Sequence, residues 1–424
     1  MANDWQTRHL VDAPLSIIDG DRGKNYPKQG DFAPVGYCLF LNTGNVTENG
    51  FNFSRCSFIA EEKDNALRKG KLETVDVVLT TRGTVGNVAF YDERVPFKHI
   101  RINSGMVILR ADYKNILPRF LYFFLKSDLF KGQIKAFSTG SAQPQLPIRD
   151  IKHITISVPP LNEQHTISGI LGNIDDKIAL NLQMNETLEK IGQALFKHWF
   201  IDFEFPNEKG KPYRLSGGEM VDSELGEIPK EWDVRPFSEV IAVSPRRQLV
   251  KGSVAKKVSM ADLERWQSWI TSWSREEYKG GSVFKNGDTL FARITPCLEQ
   301  GKTASVSFLD DKEVAFGSTE FIVLSPKIIK STAFIFFLSR STNLRDEAIM
   351  SMTGTSGRQR VPNEFFDKYL IVCPPHRLID TFDKLVRPMM VMINNNAFGL
   401  ASLGAIRDSL LPKLMSGQIR VPAG

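Results

Sequence analysis

Short loops in two parts of the chain carry side chains suited to hydrogen bonding with nucleic acid. TTRGTVGN at 80–87 and STGSAQPQ at 138–145 lie in the first half, and FARITPC at 291–297 and MTGTSGRQR at 352–360 lie in the second. Arginine can bond guanine through two hydrogen bonds, Gln and Asn can bond adenine, and Ser, Thr and backbone N–H groups can hold phosphates. The residues that we expect to make such contacts are Arg82, Thr84, Thr139, Ser141, Gln143 and Gln145, and in the second half Arg293, Thr295, Thr353, Thr355, Arg358, Gln359 and Arg360.

A basic segment in the second half suits the same ligand. SPRRQLVKGSVAKKVS at 244–259 contains five cationic residues and no acidic one, and three tryptophans follow it at 266, 269 and 273. Basic residues near aromatic ones are typical of nucleic-acid binding, so Arg246 and Arg247 join the candidate contacts. The alternatives are that the Gly, Ser and Thr loops are ordinary turns, and that the tryptophans, spaced as on one helix face, are core residues.

Motifs for catalysis are missing. QGKT at 300–303 resembles the end of a phosphate-binding P-loop, but proline occupies position 296, where that motif needs its first glycine. No HExxH, GxSxG or HxE with a later CxxC occurs, the six histidines are isolated, and the four cysteines form no CxxC pair. The sequence therefore predicts a binding protein that is not an enzyme and holds neither a metal nor a cofactor.

Composition indicates a folded protein of several domains. The chain has 424 residues, of which 42% are hydrophobic and 24% are charged, and its net charge of +6 fits a polyanionic partner. The scattered cysteines fit a reducing compartment. The N-terminus MANDWQTRHLVD is charged where a signal peptide is apolar, and we expect no stretch to span a membrane. A cytoplasmic protein with no membrane partner is predicted.

An internal repeat must position the candidate loops. Matching markers occur in the same order in both halves: Trp5 with Trp232, LTTRGT at 79–84 with LFARIT at 290–295, Thr139-Gly140-Ser141 with Thr353-Gly354-Thr355, and Pro159-Pro160 with Pro374-Pro375. Such long-period repeats indicate duplicated architecture. Each half begins with a mixed block, in which DVVLTTRG, GNVAFYDE and SGMVILRAD predict strands and LPRFLYFFLKSDLFKGQIKAF at 117–137 predicts one helix.

Each block ends at a proline pair, after which an apolar stripe at nearly heptad spacing predicts a long helix. Segments of about 35 residues would span roughly 50 Å. Either each helix packs on its own mixed block, or the two pack against each other, which would hold the blocks at a set distance. The residues expected at a helix–helix interface are Ile167, Leu171, Ile174, Ile178, Leu188, Leu195, Phe382, Met389, Ile393, Leu403 and Leu410.

The predicted fold class is α+β, with two tandem mixed α/β blocks and two long, coiled-coil-like helices that form an internal repeat. The expected segments are the first mixed block at 1–158, a central long helix at 159–205, a connector at 206–231, the second mixed block at 232–373 and a C-terminal long helix at 374–424.

Three segments resemble the specificity (S) subunits of type I restriction-modification systems. VPPLNEQHTISGILGNIDDKIALNLQMNETLEKIGQALFKHWFIDFEF at 158–205 is similar to their central region, DSELGEIPKEWDVRPFSEV at 222–240 to the opening of their second recognition domain, and IRDSLLPKLMSGQIRV at 406–421 to their C-terminal region. One departure is PPHRLIDTF at 374–382, where the family more often has an acid-amide pair like Glu163-Gln164.

The resemblance implies that the two mixed blocks are tandem target recognition domains, separated by two long antiparallel helices in a pseudo-two-fold repeat. Such a subunit reads a bipartite, interrupted site in double-stranded DNA, one half-site per domain, with the helices setting the gap. It implies two methyltransferase (M) subunits that bind S-adenosylmethionine and two restriction (R) subunits that use ATP with Mg²⁺. Lys177, Lys190, Lys197 and Arg407, outside the apolar stripe, would either dock M subunits or be solvated. The alternatives are a stand-alone DNA-binding protein without enzyme partners and a coiled-coil scaffold.

Overall fold

The computed structural model describes residues 5–137, 145–355 and 357–421. The chain divides into two compact units: unit 1 comprises residues 1–177 and 403–424, and unit 2 comprises residues 178–402. Two long helices contribute to both units, because the boundary falls after Lys177 in one helix and after Ser402 in the other. The predicted residues Thr139, Ser141 and Gln143 lie outside the described residues.

Unit 1 is a mixed unit whose strands are mostly short. Its elements, with the first long helix given in full, are β1 (Gln6–His9), β2 (Leu15–Asp19), β3 (Cys38–Leu41), β4 (Val46–Thr47), β5 (Gly50–Phe51), β6 (Phe58–Ile59), α1 (Glu61–Ala66), β7 (Val77–Thr80), β8 (Val88–Phe90), β9 (Ile100–Ile102), β10 (Met106–Ala111), α2 (Pro118–Lys126), α3 (Asp128–Phe137), α4 (Ile148–Ile151), β11 (Thr155–Val158) and α5 (Leu161–Phe200).

An antiparallel sheet of order β2-β10-β7-β8 forms the centre of unit 1. Alternate residues of β7 and β10 point to opposite faces: Leu79 and Leu109 pack in the core beneath α2, and Val78 and Ile108 pack in a second core against β3 and β9. In this second core β3 and β9 run parallel. Because both faces of the sheet are covered, all four residues of β7 are buried, and three of them are apolar.

The predicted strands of unit 1 are confirmed, but the predicted helix at 117–137 is two helices. Ser127 interrupts it in an extended conformation at φ −72° and ψ 157°, and α3 begins at the next residue. The Ser127 hydroxyl donates to the Phe124 carbonyl at 2.6 Å, which satisfies a group left open at the end of α2. Gly132 lies within α3, so this glycine does not end the helix.

Unit 2 repeats this plan with longer strands in its second sheet. Its elements, with the second long helix given in full, are β12 (Met220–Ser223), β13 (Gly226–Pro229), β14 (Asp233–Pro236), α6 (Phe237–Val240), β15 (Ile241–Val243), β16 (Val254–Val258), β17 (Ser274–Glu277), β18 (Ser282–Lys285), β19 (Thr289–Ala292), β20 (Thr303–Ser305), β21 (Val314–Gly317), β22 (Phe321–Pro326), α7 (Thr332–Ser339), α8 (Thr342–Met350), α9 (Phe365–Lys368), β23 (Leu370–Cys373) and α10 (His376–Met415).

The strand order β15-β22-β19-β20 in unit 2 matches the order β2-β10-β7-β8 in unit 1. The parallel pair β3 and β9 is matched by β16 and β21, and the outer pair β1 and β11 by β14 and β23. Alternate residues of β19 and β22 again lie in two cores, with Phe291 and Ile322 in one and Leu290 and Val323 in the other. The two units therefore share one topology.

The long helices α5 and α10 contact each other in an antiparallel sense within each unit. In unit 1 Arg407 forms an ion pair with Asp175 at 3.2 Å. In unit 2 the Asn396 side chain donates to the Asn185 side chain at 2.9 Å, and the Asn185 amide donates to the Ile393 carbonyl at 3.1 Å. Asn185 is fully buried. Arg407 therefore has a partner inside the protein, although we expected it to be either solvated or an M-subunit contact.

The apolar stripe of each helix packs partly on its own unit. Ile167 and Leu171 lie in the main core of unit 1, and Phe382 lies in that of unit 2. Ile393 and Leu188 share a small cluster with Trp269. The remaining expected interface residues are half-buried: Ile174, Ile178, Leu195, Met389, Leu403 and Leu410. The two packing alternatives therefore coexist.

Both helices are shorter than the predicted segments at each end. α5 spans Leu161–Phe200, so residues 201–205 lie outside it, and the amides of Ile201 and Asp202 both donate to the Lys197 carbonyl where it ends. α10 spans His376–Met415, so residues 416–421 also lie outside the helix. The connector at 206–231 contains the hairpin of β12 and β13.

Among the residues that the structure describes, one helix, His376–Met415, is long and apolar enough by length and composition to cross a membrane. A single such helix is weak evidence for a membrane span. Asn394, Asn395 and Asn396 lie consecutively within it, and polar side chains are costly in lipid.

Candidate nucleic-acid interface

The candidate loops of unit 1 meet at one edge of the central sheet. The backbone amides of Thr81 and Arg82 both donate to the Gly105 carbonyl, at 2.8 and 3.2 Å. Arg82 also forms an isolated antiparallel bridge with Gln145, and the Leu146 amide donates to the Thr81 carbonyl at 2.9 Å. The loop after β7 and the loop before α4 are therefore joined by backbone hydrogen bonds. We call this region, residues 20–25, 81–87, 103–105 and 145, the unit 1 loop edge.

The side chains of the predicted contacts on this edge are available to a ligand. Arg82, Thr84 and Gln145 are exposed. Among the described residues, the Arg82 guanidinium group has no hydrogen-bond partner. The Thr84 carbonyl is held by the Thr80 hydroxyl, which fixes the turn. Arg82 therefore projects five unused donors from a backbone that the sheet edge holds in place.

Unit 2 contains the same joint between its two candidate loops. The Val361 amide donates to the Arg293 carbonyl at 2.9 Å, and the Thr295 amide donates to the Gln359 carbonyl at 3.0 Å. Ile294 forms an isolated antiparallel bridge with Arg360. We call this region, residues 244–248, 281–283, 293–300, 318–320, 353–355 and 357–360, the unit 2 loop edge.

The motifs LTTRGT and LFARIT look alike in sequence, but the matching hydrogen bonds shift their structural equivalence by one residue. Leu146 donates to Thr81 as Val361 donates to Arg293, and Thr80 and Ala292 occupy equivalent places at the ends of β7 and β19. Arg293 is thus equivalent to the buried Thr81, and Ile294 is equivalent to Arg82. A shift of one residue moves a side chain from the exposed to the inward direction.

The Arg293 side chain accordingly points inward. It donates to the Val361 carbonyl, and its buried Nε atom has no partner among the described residues. Burial lowers the pKa of the Arg293 guanidinium group, and the nearby cation Arg360 lowers it further, although Glu320 opposes this. Arg293 therefore stabilises the loop joint, and little of its guanidinium group is accessible to a ligand.

The other predicted residues of unit 2 divide into tied and free groups. The buried Thr295 hydroxyl accepts from the Gln359 amide at 3.1 Å, so this pair closes the joint. Arg360 forms a forked ion pair with Glu320, with its closest contact at 2.6 Å, and these hydrogen bonds raise the pKa of its guanidinium group. The predicted residues left exposed without a side-chain partner among the described ones are Thr353, Thr355 and Arg358.

The two adjacent arginines of the basic segment have different roles. Arg246 is exposed and has no side-chain partner among the described residues. Arg247 donates to Asp288 at 2.8 Å, to Ser325 at 2.9 Å and to the Val283 carbonyl at 3.1 Å. Burial raises the pKa of the fully buried Asp288 carboxyl, although its hydrogen bonds to Ser325 and Arg247 oppose this. Arg247 therefore anchors the segment, and the sequence did not identify its buried acidic partner.

The three tryptophans do not lie on a helix, contrary to their spacing. Trp269 is buried against α10, and Trp273 stacks on Phe308 at 4.6 Å between ring centroids. Trp266 is 50% exposed, and its backbone has a positive φ of 59°. The Arg345 guanidinium group lies 4.9 Å from its ring centroid. Core packing thus accounts for two of the three.

Across residues 5–137, 145–355 and 357–421, no group of three or more His, Cys, Asp and Glu side chains is arranged to hold a metal ion. The predicted contacts at the two loop edges that have no partner among the described residues are hydrogen-bond donors and cations, and the acidic residues of these regions are Asp21, Glu299 and Glu320. This arrangement can bind an anionic, hydrogen-bonding surface.

Comparisons with known proteins agree with this character. A family model described as the type I restriction modification DNA specificity domain matches residues 3–190. The type I restriction enzyme MjaIX specificity subunit of Methanocaldococcus jannaschii is 28% identical over 347 residues, which are 77% of this chain and 76% of that protein. The type I restriction enzyme HindI specificity subunit of Haemophilus influenzae is 22% identical over 478 residues, covering 98% of this chain and all of that protein.

Among solved structures, the S subunit of a type I restriction-modification system from M. genitalium aligns with a TM-score of 0.59 at 14% identity, covering 98% of this chain and 97% of that one. At this identity the likeness concerns the fold alone. Together these comparisons support a specificity (S) subunit of a type I restriction-modification system.

Proposed function

We propose that this subunit reads a bipartite, interrupted site in double-stranded DNA, with one half-site read by each unit. The observation that carries the proposal is that the same loop joint occurs at the same sheet edge in both units, while the exposed side chains differ. Arg82, Thr84 and Gln145 are the described candidates in unit 1, and Arg358, Thr353 and Thr355 are the candidates in unit 2. Two equivalent frames with different side chains suit two half-sites of different sequence.

The proposed architecture is two target recognition domains, at 1–158 and 232–373, connected by the paired long helices. A helix of 40 residues is about 60 Å long, and base pairs rise about 3.4 Å along the duplex. The antiparallel contacts of α5 with α10 at Asp175 and Asn185 favour a stiff pair. In this proposal the helix pair fixes the number of base pairs between the half-sites.

The chain would act with other subunits, because it supplies recognition and no chemistry. The proposed partners are two methyltransferase subunits, which would carry S-adenosylmethionine, and two restriction subunits, which would carry ATP and Mg²⁺. The assembly would work in the cytoplasm, where it meets double-stranded DNA. The exposed Lys190 and Lys197 of α5 are candidate contacts for the methyltransferase subunits.

Co-expression and methylome sequencing test the proposal. The full chain with a tag should co-purify with a methyltransferase of its host, and genomic DNA of the host should carry methylated adenine in one interrupted motif. DNA from a host that lacks only this chain is the control and should lack that motif. A chain that binds DNA specifically but neither co-purifies with a methyltransferase nor produces a methylation motif would instead be a stand-alone DNA-binding protein.

A further inference from the structure

We propose that the loop after the first strand of each central sheet is a separate binding site for the phosphodiester backbone of DNA. In unit 1 this loop is residues 20–25, with Arg22 and Lys24, and in unit 2 it is residues 244–251, with Arg246 and Lys251. We call these the phosphate loops. The inference rests on the proposed DNA-reading function. It adds contacts to the DNA backbone that do not depend on the base sequence.

The unit 1 phosphate loop lies directly beside the candidate reading loop. Arg22 donates to the Ser104 carbonyl at 3.3 Å, and the Arg82 amide donates to the carbonyl of the next residue, Gly105. Gly20 lies so close to Asn103 that a Cβ atom there would overlap its carbonyl oxygen. This close approach holds the loop against the turn at 103–105. The Arg22 side chain and the Arg82 amide therefore donate to adjacent carbonyl groups, those of Ser104 and Gly105.

The unit 2 phosphate loop is placed in the same way. Residues 244–248 line a cleft of about 650 Å³ together with Ser282. The Ser282 hydroxyl donates to the Phe321 carbonyl at 2.7 Å, and the Arg293 amide donates to the neighbouring Glu320 carbonyl at 3.0 Å. The cleft and the reading loop therefore share the edge at which β22 begins.

Backbone donors in both loops are left without protein partners. The amides of residues 246–251 donate to no partner among the described residues, and neither do the amides of Arg22 and Lys24. Buried amides nearly always have partners, so a run of free amides must face water or a ligand. Free amides beside cations form a favourable site for the oxygens of a phosphate.

The side chains favour phosphate over base edges. Arg22 is already engaged with Asp19 at 3.2 Å and with Ser104, so it cannot turn its full fork towards a guanine. An exposed ion pair of this kind is weak, and its charge remains available to a phosphate. Lys24 and Lys251 are exposed, have no partners among the described residues and act as point charges. In unit 2, Arg247 is fixed by Asp288 and so orients the free Arg246 beside it.

A double variant in each loop tests the inference in the full chain bound to its methyltransferase partner. For R22A/K24A and, separately, R246A/K251A, we measure affinity for cognate and non-cognate duplexes over a series of salt concentrations, and the methylated motif in a host. Each phosphate contact contributes about 0.9 to the slope of log affinity against log salt. We expect the magnitude of the slope to fall by about 2, and affinity at low salt to fall roughly tenfold for both duplexes. The motif should stay unchanged.

The matched control removes two exposed cations from the opposite edge of the unit 1 sheet, in the variant R8A/K114A. Lys114 follows the end of β10 that lies away from the loop edge, and Arg8 lies next to Lys114 in a shared cleft. This control should keep the wild-type slope. Equal thermal unfolding of all variants shows that any change in binding is local.

Three results would overturn the inference. They are a loss no larger than in R8A/K114A, a loss confined to the cognate duplex, and a changed methylation motif, since the last two indicate base reading. The proposed function fails separately if the unmodified complex shows no preference between the two duplexes and no motif. A wild-type complex that binds neither duplex would overturn both.

Discussion

At the scale of single residues, the direction of a side chain depends on one position of register. Arg82 and Arg293 look alike in sequence, since each follows a strand and precedes a polar turn. In the structure Arg82 is exposed, whereas Arg293 is equivalent to the buried Thr81 and donates to the Val361 carbonyl. The sequence motifs identified loops that the structure joins in the same way in both units, but they could not establish which side chain of each loop faces outward.

This difference predicts opposite effects for two similar substitutions. R82A should relax one position of one half-site, at a cost of about 1–3 kcal/mol in binding, and should leave stability unchanged because its side chain has no partner among the described residues. R293A should lower the free energy of unfolding by about 1 kcal/mol, because a buried hydrogen bond is lost, and should leave the motif unchanged. Thermal unfolding and methylome sequencing of both variants measure the two effects, and the reverse pattern would contradict the assignment.

A buried acid in unit 1 predicts a dependence of stability on pH. Asp64 is fully buried and accepts hydrogen bonds from Lys71 and Arg101. Burial raises the pKa of its carboxyl, but the hydrogen bonds from these two cations outweigh burial and leave the pKa below the usual value. Because the folded pKa is lower than the unfolded one, the stabilisation is complete above about pH 4 and is lost as the pH falls through the folded pKa.

D64N should therefore lower the free energy of unfolding by about 3 kcal/mol near pH 7, since it leaves Arg101 buried without its anion. The difference from wild type should shrink below about pH 4, where the wild-type carboxyl also becomes neutral. Denaturant unfolding at a series of pH values measures both effects. E62Q, an exposed change in the same short helix α1, is the control and should match wild type. A constant difference across the pH range would show that the charge of Asp64 is not the cause.

At the scale of elements, the two strand-to-helix joints have the same geometry and different chemistry. In unit 1 Glu163 accepts from the Trp5 indole at 3.0 Å and from Arg420 at 2.8 Å. In unit 2 the equivalent positions are the buried Leu378 and Ile379. Apolar packing thus replaces the polar joint, and α10 still begins at His376, directly after the proline pair.

The unit 2 joint is completed by an aromatic cluster. The Trp232 ring lies 5.4 Å from that of Phe203 and 5.2 Å from that of Phe205, measured between centroids. The departure PPHRLIDTF therefore reflects an apolar version of the joint. The proline pairs and apolar stripes predicted both helices because a proline ends a strand locally. They could not predict where the helices end, because those ends depend on contacts such as the pair of amides at the Lys197 carbonyl.

If the helix pair sets the gap between half-sites, its length should set the spacer. We predict that inserting one helical turn, about four residues and about 6 Å, after Lys177 in α5 and after Ser402 in α10 widens the methylated motif by about two base pairs. Both half-sites should keep their sequences. Methylome sequencing of a host with the insertion measures the spacer. An unchanged spacer would contradict the proposal that the helix pair sets the gap between the half-sites. Four-residue exchanges of unchanged length at the same places are the control.

At the scale of the whole molecule, the repeat was predictable, but much of its content was not. Markers such as Trp5 and Trp232 indicated two similar blocks, and the two central sheets share one strand order. The second sheet of each unit was not predicted. Its parallel pairs, β3 with β9 and β16 with β21, join strands far apart in sequence and leave no local pattern. Pairing across long loops depends on the packing of the complete unit.

Two units with separate cores should be exchangeable one at a time. We predict that replacing residues 1–158 with the corresponding segment of another such subunit changes one half of the methylated motif and preserves the other half and the spacer. The reason is that the loop edge of unit 1 is built from hydrogen bonds within that segment, such as those to Gly105. Methylome sequencing decides the outcome, and changes in both halves would show that the units do not read independently.

The one-residue offset between the two loop edges has an evolutionary consequence. Gain or loss of a single codon just after β7 or β19 would exchange inward and outward side chains of the loop while the sheet beneath stays intact. A DNA-reading protein of this fold could thus acquire a new recognition motif through one small indel, without the many substitutions that redesign of a binding surface would need. Core residues such as Leu79 and Phe291 would keep their places in the sheet.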